Sequence, residues 1–415
     1  MPRPGYKWTE VGVIPEDWQV KKLGEKATFR TGPFGSALHK SDYTIDSVPV
    51  INPMHIMNGK LVPSQTMTIT EGAARQLSEY RLRPGDIVIG RRGDMGRCAV
   101  VQENQVGWLC GTGSLIVRCA EGVSPDYLQR VLSSAEVISA IEGTSVGSTM
   151  INLNQSVLGG LSIQFPLLKE QCAIAAALSD VDALLAKLDA LIAKKRDLKQ
   201  AAMQQLLTGK RHLLGFSGEW EVKRLGDVGA FSKGKGIRKD EVVSDGLPCI
   251  RYGEIYTRHN DYVKGFYSFI PSQVARQSQR LHRGELLFAG SGETAEEIGK
   301  CVAFLGDEEA YAGSDIVLFM PTDQDSMYLG YLMNHPSVAD QKARMGQGDA
   351  VVHISARNLA QLELHLSCPE EQRAIAAVLS DMDAEIAALE VRREKTRALK
   401  QGMMQELLTG RIRLL

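Results

Sequence analysis

Residues 170–209 and 371–410 are one forty-residue segment written twice. Aligned without a gap at an offset of 201, EQCAIAAALSDVDALLAKLDALIAKKRDLKQAAMQQLLTG and EQRAIAAVLSDMDAEIAALEVRREKTRALKQGMMQELLTG agree at 24 of 40 positions. A unit that fills half the chain is not a solenoid of short modules. It describes two copies of one body, each closed by a long helix.

The helices show their period. In copy one Ile174, Leu178, Val181, Leu185, Leu188 and Ile192 step by four and three in turn. Copy two repeats this with Ile375, Leu379, Met382, Ile386 and Leu389, and breaks it at Arg393. That is a heptad seam, the pattern that closes one helix against a partner helix. Pro166 precedes the first helix. Ser367 and Glu370 have capping-box spacing around Pro369 before the second. Gly209 and Gly410 follow the last apolar turns, where a left-handed C-cap favours glycine. A helix of about 40 residues is roughly 60 Å long.

The duplication extends into the bodies. Asp17–Gly24, containing Trp18, returns as Glu219–Gly226, containing Trp220. Val48–Ile51 returns as Leu247–Ile250, and the Pro84-Gly85-Asp86 turn as Arg283-Gly284-Glu285. Tyr127-Leu128 matches Tyr328-Leu329. Offsets drift only between 199 and 202, while the segments between these anchors diverge. A shared framework with unshared loops fits two copies doing one job on different targets. β-rich runs at Asp86–Gly90, Cys98–Val101 and Leu115–Arg118 recur at Glu285–Phe288, Cys301–Phe304 and Asp315–Phe319. One helical stretch per body follows, at about 125–142 and 326–344. The expected fold class is α+β: two mixed bodies of about 150 residues, each with a long helix. Residues 208–218 form the hinge into the second body.

Composition narrows the chemistry. With 44% apolar residues the chain can bury two cores. No run approaches membrane-spanning length, and residues 1–17 lack a signal-peptide core. Seven cysteines, an odd number without C-x-x-C spacing, point to free thiols in the cytoplasm and not to a disulfide or zinc scaffold. The eight histidines have no metal-ligand spacing. Thr208-Gly209-Lys210 lacks the remainder of a phosphate loop, and Gly111-Thr112-Gly113 runs on to Ile116 where a third glycine would fall. Asn52-Pro53-Met54-His55 is only loosely like the catalytic tetrapeptide of amino-methyltransferases and reads as a turn. Asp86, repeated as Glu285, has a structural role in its turn. Net charge is −1, and by segment the basic and acidic counts are 16 and 15 (1–165), 8 and 5 (166–215), 16 and 21 (216–367), and 8 and 8 (368–415). No segment is strongly basic, so phosphate attraction alone would not hold this chain on nucleic acid.

The order of these motifs resembles the specificity subunit of type I restriction–modification systems over nearly the whole chain. The resemblance rests on Trp18–Gly24 and Trp220–Gly226, the two Gly-acid turns, Pro166 with Glu170-Gln171, Pro369 with Glu371-Gln372, and the closing Leu-Leu-Thr-Gly at 206–209 and 407–410. It implies target recognition domains at 1–165 and 210–367, the latter including the linker. It also implies spacer helices at 166–209 and 368–415, paired as an antiparallel coiled coil. Each domain would read half of a bipartite DNA site. Half-sites one helical turn apart lie about 34 Å from each other, within reach of such a rod. The implied partners are two modification subunits, which carry S-adenosylmethionine and methylate adenine N6, and restriction subunits. This chain would itself hold no cofactor, no metal and no catalytic residue.

Candidate DNA contacts fall in the divergent loops. In body one they are Lys40, His55, Asn58, Lys60, Arg91, Arg92, Arg97, Ser148 and Asn152; in body two, Lys233, Lys235, Arg238, Lys239, Arg251, Tyr252, Arg258, Arg344 and His353. Arginine suits guanine O6/N7 and asparagine suits adenine, whereas lysine and serine more often hold phosphates. Lys194-Lys195-Arg196, on the first helix, suits either backbone contact or solvation. Two other classes stay open: a stand-alone nuclease or methyltransferase, and a coiled-coil assembly scaffold.

Overall fold

The computed structural model describes residues 2–34, 37–143, 152–348 and 351–414. Packing divides the chain into two compact units, 1–188 with 392–415, and 189–391. The division falls inside both long helices, Leu168–Leu206 and Pro369–Leu408. In sequence order the chain runs body, helix, body, helix; by packing, each body shares parts of both helices.

In unit one a four-stranded antiparallel sheet has the order Cys98–Val100, Ile87–Gly90, Ser114–Cys119, Ala27–Thr31. Strand residues alternate between faces, and here both faces are covered. Ile87, Ile89, Leu115 and Val117 face a core completed by helix Pro125–Leu132 and the start of the first long helix. Val88 and Ile116 pack with Ile51, Leu82 and Cys110 on the other side. Burial on both faces explains why these strands are continuous apolar runs. Unit two repeats the order with Cys301–Ala303, Leu286–Ala289, Ile316–Pro321 and Gly229–Lys233. Leu286 and Phe288 face one core, Leu287 and Ala289 the other. Each unit also contains a parallel strand pair at the same place, Val50 beside Leu109 and Cys249 beside Tyr311. A two-stranded tie joins the start of each body to its end, Gln19–Lys22 with Ser162–Phe165 and Glu221–Arg224 with Glu363–Leu366.

The helical stretch after the strands is two helices in each body, not one. In body one Ser133 and Ser134 separate Pro125–Leu132 from Ala135–Gly143; the Ser134 hydroxyl accepts from Val137 N and starts the second helix. In body two Pro336, which has no N–H to continue a helix, separates Ser326–Asn334 from Pro336–Met345.

The long helices are antiparallel. In unit one Asp182 of the first helix pairs with Lys400 of the second at 2.6 Å. In unit two Lys195 pairs with Glu385 at 2.7 Å and Lys199 with Asp383 at 2.7 Å. Every residue of the expected seam is buried or half-buried. The outer seam residues Ile174, Leu178, Ile375 and Leu379 also enter the body cores, beside Leu407 and Leu408 in unit one and Leu206 and Leu207 in unit two. Met403 and Met404 are half-buried against the first of these cores. Gly209 and Gly410 both have φ of 69°. A side chain at Gly410 would also meet Pro15 at 2.6 Å, so this position excludes one twice over.

The capping box expected at Ser367 and Glu370 does not form. The helix begins at Pro369, which makes Cys368 the cap and Glu371 the third helical residue. The Ser367 hydroxyl is buried and makes no hydrogen bond among the described residues, while Glu370 pairs with Arg373 at 2.8 Å. The Glu-Gln pair has a different task. Glu170 is 3% exposed; it accepts from Trp18 Nε1 at 3.0 Å and pairs with Arg413, beyond the end of the second helix, at 2.6 Å. Glu371 likewise accepts from Leu213 N and meets His212, beyond the end of the first. The neighbouring amides join helix to body. Gln171 accepts from Ser124 N at 2.9 Å and Gln372 from Asp325 N at 3.0 Å.

Breaking a buried pair strands its partner. Glu170→Ala is expected to destabilise unit one by about 3 kcal/mol. Arg373→Ala, which removes an exposed pair, should cost under about 0.5 kcal/mol. Urea-unfolding midpoints of the two variants measure the contrast.

Candidate nucleic-acid interface

The candidate residues of body one separate by environment. Arg91 is 8% exposed: its Nε donates to Leu153 O at 2.9 Å and its Nη2 to Asn152 Oδ1 at 3.2 Å. Burial lowers its pKa, with Arg92 adding to the effect. Arg91 therefore fastens the strand end to segment 152–153, and Asn152 is exposed but already engaged by it. His55 is also buried, its Nδ1 accepting from Asn52 N at 3.1 Å to close the turn Pro53–His55. Both expected DNA contacts thus commit polar atoms inside the body, Arg91 through Nε and Nη2 and His55 through Nδ1. Asn58 and Gly59, with φ of 51° and 72°, form the two-residue turn between strands Ile56–Met57 and Lys60–Leu61. That left-handed pair accounts for the asparagine by itself. Lys40, Lys60 and Arg92 are exposed and have no ion pair among the described residues, whereas Arg97 is held by Asp94 at 3.1 Å. Ser148 lies outside the described residues.

In body two Lys233, Lys235, Lys239 and Arg344 are exposed without an acidic partner among the described residues. Arg238 is paired with Glu241 at 3.1 Å and Asp240 at 3.7 Å, and Arg251 lies 4.0 Å from Glu254. Tyr252 is exposed at the start of helix Tyr252–Thr257, and Arg258 lies over the Tyr267 ring at 5.1 Å. Lys233 and His353 belong together, since both line a cleft of about 330 Å³ with Ser291, Asn358 and Asp315. His353 Nδ1 and Ser291 Oγ are 2.9 Å apart. Ser291 and Asn358 were not expected from the sequence. Setting Gly290 against Arg91 would have signalled an opening there.

Several other reactive groups have structural roles. All seven cysteines are free, and burial pushes the Cys98 and Cys249 thiols up to about 12, far from nucleophilic at neutral pH. Asp86 accepts from Arg83 N at 2.9 Å and pairs with Arg118 at 3.0 Å; Glu285 accepts from His282 N at 2.8 Å. Both Gly-acid turns are thus closed by their own carboxylates. Among the described residues no His, Cys, Asp and Glu group could hold a metal ion, and no helix is long and apolar enough to cross a membrane. Lys342 is 2% exposed, donates to Gly299 O at 2.6 Å, and has its pKa pushed down to about 8 by burial.

Two copies of one framework, each with its own surface loops and each packed on parts of a shared helix pair, define a tandem recognition protein. The family pattern for the type I restriction modification DNA specificity domain matches residues 15–194 and again 217–396. The chain belongs to that family. It is 24% identical to the proposed type I restriction enzyme MjaX specificity subunit of Methanocaldococcus jannaschii, over 98% of this chain and 96% of that one. The MjaVIII specificity subunit of the same organism is 22% identical, over 96% and 94%. The fold is shared with the crystal structure of the type I restriction-modification S subunit from M. genitalium, with a TM-score of 0.59 at 16% identity over 98% and 99% of the chains.

Two outcomes follow from these environments. Arg91→Ala is expected to lower the thermal midpoint, whereas Arg92→Ala, exposed and unpaired, should leave it within about a degree or two. For Lys342, the unfolded lysine keeps its proton up to about 10.5, while the folded one releases it near 8. The unfolded chain therefore binds more protons across that window, and the stability contributed at this site rises with pH from about 8 to 10.5. Lys342→Met should flatten that rise, as compared by urea midpoints at both ends of the window.

Proposed function

We propose that this chain is the DNA-recognition subunit of a type I restriction–modification complex and does no chemistry of its own. Each body reads one half of a bipartite, asymmetric duplex site. The antiparallel helices set the gap between the halves and dock two modification subunits, together with restriction subunits that translocate and cleave. S-adenosylmethionine is held by the modification subunits, which methylate adenine N6, and the assembly works in the cytoplasm. The observation that carries this reading is the double match of the specificity pattern, once over each body with most of its helix. The sorting of surface charge supports it. Uncompensated cations such as Lys60, Arg92 and Lys235 lie on segments where the two copies differ, while Lys40 and Lys239 stand at the same place in both, and such groups supply phosphate and base contacts without a basic domain.

The test is co-expression with a modification subunit encoded beside this chain, in a host lacking adenine methylation, followed by single-molecule sequencing of the host DNA. The expected result is N6-methyladenine at one interrupted, asymmetric motif. A stable complex that leaves the DNA unmethylated would favour a scaffold. Within an active complex, Arg92→Ala should weaken cognate binding by about 1–3 kcal/mol if it reads a base. Unchanged affinity and unchanged motif would remove it from the interface.

A further inference from the structure

The cleft in body two is the same framework position that body one closes. Arg91 and Gly290 are equivalent: Arg91 N donates to Gly113 O and its carbonyl accepts from Leu153 N, while Gly290 N donates to Asp315 O and its carbonyl accepts from Ile354 N. Thr31 and Lys233 occupy matching strand ends, and Gln155 and Ala356 both follow the cap of the helix behind them. In body one the Arg91 side chain runs to Leu153, and Gln155 Nε2 donates to Thr31 Oγ1 at 3.0 Å, bridging the position. In body two glycine replaces the arginine, alanine replaces the glutamine, and polar Asn358 stands where body one has Val157. The result is the cleft of about 330 Å³. Two exchanges at equivalent positions remove the bulk that fills it in body one, and the third adds a polar group to its lining.

We propose that this cleft seats one phosphodiester of the DNA backbone beside the half-site read by body two, a contact that body one does not make. The inference rests on the DNA-recognition reading above. Lys233 supplies the positive charge, Asn358 keeps one amide hydrogen beyond the one it gives to Met345 O, and the Ser291–His353 pair offers one more proton, from Nε2 or from the hydroxyl according to which partner donates to the other. Val317, Ile354 and Ala356 give an apolar wall suited to the deoxyribose that a diester carries. Shape favours the backbone. Phosphates project from a duplex and fit a concavity, whereas base edges lie recessed and are reached by projecting side chains. Asp315, the one carboxylate in the lining, disfavours a dianionic free phosphate more than a singly charged diester.

The experiment uses the assembled complex and a duplex bearing its methylated motif. Lys233→Ala should weaken binding without altering the motif, and should lower the slope of log affinity against log salt by about one. A neutral methylphosphonate, placed in turn at each phosphate around the half-site, should weaken the wild type at one position beside body two. The same substitution should cost the Lys233→Ala variant nothing. The double variant Lys233→Thr with Ala356→Gln, which rebuilds the bridge of body one, should reproduce the loss with an unchanged thermal midpoint. An altered base in the motif of Lys233→Ala would assign the cleft to base reading and overturn the proposal. So would a wild type indifferent to every methylphosphonate while still methylating its motif, which leaves the recognition reading intact. Inorganic phosphate that weakens wild-type binding, but not that of the double variant at equal ionic strength, would assign the cleft to a free anion.

Discussion

Each body is joined to the helix pair by one buried carboxylate and one buried amide at the start of a long helix. Glu170 and Glu371 fasten the chain that follows the end of the other helix, through Arg413 in unit one and through His212 and Leu213 N in unit two. Gln171 and Gln372 fasten the first helix of the body's helical pair, through Ser124 N and Asp325 N. A second lock lies further along. Asp182 takes Lys400 from the other helix and Arg130 from the body, at 2.6 and 2.5 Å. Asp383 takes Lys199 and the Tyr331 hydroxyl, both at 2.7 Å. Paired buried charges add little net stability, but they penalise any arrangement that separates them. They therefore account for the repetition of these positions between copies.

That shared junction leaves the loops free to differ. Sheet order, both cores, the parallel pair and the strand tie are the same in the two bodies, so a change at one loop position does not disturb the framework. Gly290 against Arg91 illustrates the consequence. Where body one uses a buried guanidinium to hold segment 152–153, body two keeps only the backbone bonds and opens a polar cleft. A recognition surface can thus be remade by side chains that replace one another at fixed backbone positions.

The features legible in the sequence are those with a period or a repeat. The heptad seam located both helices, and the C-cap glycines at 209 and 410 ended them within a few residues of the observed bounds. Apolar runs marked the central strands because both sheet faces are buried. Local competition was harder to read. Ser367 and Glu370 have the spacing of a capping box, yet Pro369 shifts the helix start by one, and Glu371 at the third helical position spends its carboxylate on His212 and Leu213 N. The break at Ser133-Ser134 depends on a hydroxyl choosing a cap over a helix interior. Least legible was which loop residues are free to meet a ligand. Arg91 and Arg92 are adjacent and chemically alike, and only tertiary structure shows that the first is spent on Leu153 while the second is exposed. Likewise His55 has the chemistry of a contact residue but closes its own turn.

The central claim is that the two bodies recognise independently while a common helix pair fixes their separation. Exchanging residues 216–367 for the matching segment of a family member with a different target, then sequencing the methylated DNA of the co-expressed complex, tests this most directly. The account predicts a motif in which one half is replaced, while the other half and the gap length are retained. A motif whose two halves change together, or whose gap changes with the exchanged body, would contradict it.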